Sequence, residues 1–105
     1  MENFVAEAKG QVIVAKSGKD ALDIATGNDQ VALVLMDIKM SAMNGIEPMQ
    51  RIKATKPNLP VIALTAFVMP GDQAKLLYYG FDDYLSKPIQ TKVLRAKFTQ
   101  HLRRN

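Results

Sequence analysis

The run VALVLMD at positions 31–37 constrains most what this chain can fold into. The apolar residues 32–36, with Val31 before them, are far too few to cross a bilayer. They suit a strand buried on both faces, as in parallel sheets covered by helices, where strands lack polar alternation. The run stops at Asp37, a carboxylate at the carboxyl end of that strand. This is the end at which open α/β sheets bind ligands and do chemistry. A loop then leads to Asn44 and Gly45, after which Ile46, Met49, Ile52 and Lys53 recur at helical spacing.

The same grammar repeats along the chain. Residues 11–15 (QVIVA), 60–64 (PVIAL) and 81–85 (FDDYL) read as three further strands. Ala21, Leu22 and Ala25 form a stripe on a helix that Gly27 and Asn28 stop. A second helix over 44–56 is closed by Pro57. Pro70 and Gly71 open a third, with Ala74, Leu77, Tyr78 and Phe81 on its inner face and Gly80 at its end. Val93, Leu94, Phe98 and Leu102 define a final amphipathic helix. Residues 1–10 are the least legible: Phe4, Val5 and Ala8 fit one face of a short helix stopped by Gly10, and residues 4–6 fit a short strand. Strands alternating with helices imply right-handed crossovers. The expected fold is α/β, a flavodoxin-like parallel sheet with helices on both faces, in a single domain spanning residues 1–105.

Composition narrows the function classes. At 105 residues there is one core without much to spare, and 48% hydrophobic with 23% charged residues is ordinary for a globular protein. The absence of cysteine rules out a disulfide framework or a thiolate metal site. With no secretory pattern and no membrane-length apolar run, a soluble cytoplasmic protein is expected. The net charge of +4 owes much to Lys92, Arg95, Lys97, Arg103 and Arg104, with His101 among them. Basic residues complement the negative pole of a helix C-terminus, so this tail is expected to be a solvated helix face. No helix-turn-helix, finger or aromatic-stacking pattern accompanies it, and no nucleic-acid partner is expected.

Three polar residues occupy equivalent places: Asp37, Thr65 and Lys87 each follow a buried strand at its carboxyl end. Singly, they are a turn carboxylate, a turn hydroxyl and a surface lysine. In one parallel sheet their strand ends converge on one edge. There the carboxylate suits a nucleophile, and the hydroxyl and ammonium suit the oxygens of an incoming phosphoryl group. Lys87 precedes Pro88, and an X-Pro bond tolerates the cis geometry that would aim the ammonium inward.

The segments VLMDIKMSAMNG, PVIALTA and DDYLSKP resemble the response-regulator receiver domain of two-component signalling, in particular receivers attached to hybrid sensor kinases. The likeness runs from about Gln11 to Leu102. It implies that Asp37 accepts the phosphoryl group, Thr65 is the switch hydroxyl and Lys87 the family's lysine. Tyr84 is then the aromatic whose rotamer follows Thr65, and the main-chain carbonyl of Lys39 a Mg²⁺ ligand. A core aromatic on a strand is the competing reading of Tyr84. A sensor histidine kinase or phosphotransfer domain is the implied partner, and the implied partner face joins the last two helices and last strand, with Tyr84 and the surroundings of Lys92 and Arg95. The role is stoichiometric signalling, at most self-phosphorylation and hydrolysis, and not classical enzymatic turnover.

The chain departs from the family in two places. Ser41 stands where the acceptor loop usually has proline. The family also begins with a central strand ending in two adjacent acids that hold Mg²⁺, whereas neither an apolar strand nor an acidic pair precedes Gln11. The chain thus reads as lacking that start, with residues 1–10 a remnant of the first-helix region. Glu2 remains as one candidate carboxylate beside Asp37. Mg²⁺ normally takes one or two carboxylates with phosphate oxygens and water, so weak metal binding and slow phosphorylation are expected. The missing ladder is expected to be made good by pairing residues 11–15 with 32–36, by insertion of residues 4–6, or by self-association with exchanged elements. A phosphorylation-independent interaction module is the alternative function.

Overall fold

The computed structural model of the chain describes residues 2–6, 10–27, 30–38, 45–66 and 71–102. Their elements run β1 (Glu2–Ala6), β2 (Gly10–Ala15), α1 (Gly18–Gly27), β3 (Val31–Asp37) and α2 (Ile46–Thr55), then β4 (Val61–Thr65), α3 (Asp72–Tyr79), β5 (Asp83–Ser86) and α4 (Thr91–Leu102). All the strands lie in one sheet, in the order β1-β2-β3-β4-β5. Strands β2 to β5 are parallel neighbours, and β1 runs antiparallel along the outer edge of β2. The parallel, helix-covered sheet is the flavodoxin-like layer expected from the alternating pattern.

Residues 2–6 form a strand and not a helix: Glu2 pairs with Val14, Phe4 with Val12 and Ala6 with Gly10. An isolated helix this short is marginal in water, while the β-branched β2 offers a ladder to pair with. β2 pairs directly with β3, from Val12 opposite Leu33 to Ala15 opposite Met36. Within the chain, direct pairing completes the sheet, and residues 4–6 add to the outer side of β2 instead of inserting beside β3. No strand stands between these two.

Alternation along the strands divides the core into two faces. Ile13, Ala15, Val34, Met36, Val61 and Ala63 look toward Ala21 and Ala25 of α1, Met49 and Ile52 of α2, and Leu76 of α3. Val12, Leu33, Leu35, Ile62, Leu64 and Leu85 look the other way, toward Leu94 and Phe98 of α4. Three helices thus cover one face and α4 the other. No helix among the described residues is long and apolar enough to cross a membrane.

Gly45, just before α2, packs against the end of β3. A Cβ there would run into Ile38 Cγ2 and lie 3.0 Å from Met36 Sδ. Close approach, and not an unusual dihedral, is what requires glycine, since its φ is −98°.

The helix faces differ in part from the sequence expectation. In α3 the buried residue is Leu76, with Tyr79 packed beside it, while Ala74 is exposed and Leu77 and Tyr78 are 51% and 85% exposed. In α4 Val93 is 41% exposed, and the inward stripe is Leu94, Lys97, Phe98 and His101. Both helices are rotated from the face that hydrophobicity alone selects. For α4 the reason is polar: Asp83 faces the stripe and takes Lys97 and His101. Strand β5 also begins two residues later than expected, because Asp82 is used otherwise. Its Oδ2 accepts from the Val61 N–H and from Lys53 Nζ, each at 2.8 Å.

Candidate functional site

Backbone pairing brings the three strand ends side by side. Asp37 closes β3 opposite Leu64, and the next N–H, of Ile38, donates to the Leu64 carbonyl at 2.9 Å. Thr65 closes β4 opposite Ser86, and the Lys87 N–H donates to the Thr65 carbonyl at 2.8 Å. With neighbouring strands about 4.8 Å apart, the ends of β3, β4 and β5 share one edge of the sheet. Across that edge Lys87 Nζ donates to Asp37 Oδ2 at 2.8 Å. The Lys87–Pro88 bond is cis.

The side chains of Lys87 and Asp37 are 39% and 32% exposed, so a ligand can reach them from solvent. Thr65, on the intervening strand, is 2% exposed. Tyr84 lies opposite Ala63, on the sheet face of Thr65 and two pairs away along the strands. It packs partly buried against the cluster beneath α1 to α3, and Lys97 Nζ sits 5.6 Å from its ring centroid. Of the expected acceptor-site residues, Asp37 and Lys87 are in contact, with Thr65 between their strands. Lys39 lies outside the described residues.

A polar cluster of Asp83, Lys97 and His101 lies at the opposite end of β5, unsuspected from the sequence. Lys97 Nζ is 2.9 Å from Asp83 Oδ1, His101 Nε2 is 2.9 Å from Oδ2, and the Tyr84 N–H donates to Oδ1 at 2.8 Å. Beside an ionised carboxylate, His101 Nε2 carries the proton and donates, which leaves Nδ1 buried without a partner. Burial pushes the Asp83 carboxyl upward, but the hydrogen bonds from His101, Lys97 and the Tyr84 N–H outweigh it and hold its pKa below the usual carboxylate value. Lys97 and His101 are thus not members of a solvated face, whereas Lys92 and Arg95 are exposed. The signal in the sequence was their i, i+4 spacing in the stripe of Leu94 and Phe98, facing the acid pair of FDDYL.

The sequence pattern of the response regulator receiver domain matches residues 1–99. The chain belongs to this family. It is 38% identical over 104 residues to the transcriptional regulatory protein YrkP of Bacillus subtilis, covering 99% of this chain and 44% of that protein. It is also 38% identical over 91 residues to hybrid signal transduction histidine kinase I of Dictyostelium discoideum, covering 79% of this chain and 5% of that protein. The receiver chain therefore spans less than half the length of these relatives. A receiver domain protein from Clostridium thermocellum has the same fold, with a TM-score of 0.74 at 21% identity, over 89% of this chain and 94% of that one.

Receiver domains generally bind Mg²⁺ for phosphorylation. The described residues of this receiver do not fit such an ion. Glu2 pairs with Val14, so its backbone lies at the same sheet edge but with β2 interposed before β3. Among the described residues no group of three His, Asp, Glu or Cys could hold a metal. On the β2 side of Asp37 the chain continues from Ala15 into Lys16, where an oxygen ligand would be needed.

Proposed function

We propose that the chain is a receiver module that accepts a phosphoryl group on Asp37 in a histidine-to-aspartate relay. The observation that supports this most is the 2.8 Å contact of Lys87 Nζ with Asp37 Oδ2 at the open carboxyl edge of a parallel sheet. An Asp37 oxygen forms the new bond to phosphorus, and the bond from phosphorus to the donor breaks, the donor leaving with its electron pair. In this reading Lys87 neutralises the phosphoryl oxygens and Thr65 hydrogen-bonds one of them. Tyr84, on the face of Thr65, is the group that would register the change. The donor is a sensor histidine kinase or a phosphotransfer domain, in the cytoplasm, and the reaction is stoichiometric. Transfer is slow, because the described residues do not fit a divalent ion.

A second reading, signalling by contact alone, draws on the exposed Leu77, Tyr78, Ile89 and Val93 along α3, the β5–α4 connection and α4. It includes association of the chain with itself. The two readings part on incubation with acetyl phosphate followed by intact-mass measurement. Gradual gain of one phosphoryl group per chain is expected; a chain that stays unmodified overturns the acceptor reading in favour of contact signalling.

A further inference from the structure

We infer that Lys16 supplies, on the β2 side of Asp37, the positive charge that a divalent cation supplies in metal-assisted phosphoryl transfer, so that this site takes a phosphoryl oxyanion without metal. The inference rests on the acceptor reading above. Its basis is the register of β2 on β3. Ala15 lies opposite Met36, β3 runs one residue further to Asp37, and β2 runs on into Lys16. Lys16 therefore follows the last paired residue of β2 directly, at the same end of the sheet as Asp37 and on the strand next to β3. This adjacency exists only because β2 and β3 are direct neighbours.

Lys16 is exposed and makes no hydrogen bond or ion pair among the described residues, so its ammonium is uncommitted on a flexible four-carbon stem. The next residue is committed elsewhere: Ser17 Oγ accepts from the Asp20 N–H at 3.2 Å, capping α1. On the far side of Asp37, Lys87 already makes its 2.8 Å contact. Asp37 thus has an ammonium carrier to either side along this end of the sheet, Lys16 after β2 and Lys87 after β5. Two single positive charges equal the charge of one divalent ion, and the aspartyl phosphate that forms carries two negative charges in all.

The transfer balances without further reagents. With acetyl phosphate, the Asp37 carboxylate forms a bond to phosphorus, the phosphorus–oxygen bond to acetate breaks, and acetate leaves with the electron pair. The test follows labelling by intact mass in EDTA and in Mg²⁺, for the wild-type chain, Lys16→Met and Lys16→Asp. Lys16 is on the surface, and unchanged melting temperatures would verify that the variants fold. The wild type is expected to label equally fast in both media, within about twofold, and Lys16→Met about tenfold more slowly in both, an exposed charge being partly screened. Lys16→Asp places a carboxylate beside Asp37 and is expected to make labelling depend on Mg²⁺. A Lys16→Met chain that labels as fast as the wild type, or wild-type labelling that requires Mg²⁺, overturns the role of Lys16 and leaves Asp37 as acceptor. A wild-type chain that labels in neither medium overturns the acceptor reading and this inference together.

Discussion

Asp37→Asn is expected to abolish the phosphoryl adduct, and Lys87→Met to slow its formation by about a hundredfold, the usual cost of deleting one group aimed at developing charge. The amide of asparagine is no nucleophile toward an acyl phosphate, so no residual route through position 37 remains. Methionine keeps the apolar stem of Lys87 while removing the ammonium that now lies 2.8 Å from Asp37 Oδ2. Neither change should unfold the chain. Both side chains are about a third exposed, and ion pairs of that kind contribute at most about 1 kcal/mol. Time courses of intact mass, with circular dichroism as the folding control, would measure both effects. An adduct of undiminished yield on Asp37→Asn would place the chemistry elsewhere.

Asp83→Asn is expected to lower stability by about 3 kcal/mol, the order seen when one partner of a buried charge pair is removed. The asparagine keeps the shape of the side chain but leaves His101, 2% exposed, and Lys97 without their anion. For a domain of this size that corresponds to a fall in melting temperature on the order of 10–20 °C. The pH dependence has a definite sign. The folded pKa of Asp83 lies below its ordinary value, so its contribution is present above about pH 4 and is lost as pH falls through the depressed value. Melting curves at neutral pH and near pH 3 should therefore show the gap between wild type and variant narrowing with acid. A gap that stays constant would mean that the charge of Asp83 is not what holds α4 to β5.

Much of the layer was legible because burial on both faces leaves an unmistakable trace in β3 and β4, and because Pro57, Gly80 and Pro88 punctuate the chain. Asp37, Thr65 and Lys87 were legible for a related reason: each stands where a strand gives out at its carboxyl end, Asp37 and Thr65 directly after an apolar run and Lys87 one residue after Ser86. Pairing was harder to read. Whether β2 met β3 directly or through residues 4–6 depended on competition between ladders, which no local pattern records. The inner faces of α3 and α4 were misread because hydrophobicity picked out Leu77, Tyr78 and Val93, whereas the helices turn Leu76, Lys97 and His101 inward. The partner that draws in the last two, Asp83, sits on another element and is a long-range fact. Lys16 was passed over for the same reason: as a residue in a turn it is ordinary, and only the register of β2 on β3 puts it beside Asp37.

Locating the phosphoryl group on the labelled chain tests the central claim most directly. Borohydride reduces an aspartyl phosphate to homoserine, which peptide sequencing by mass then assigns to a position. Homoserine at position 37 and nowhere else is the expected result. Reduction at another aspartate, or a label that resists borohydride and maps to His101, would contradict it.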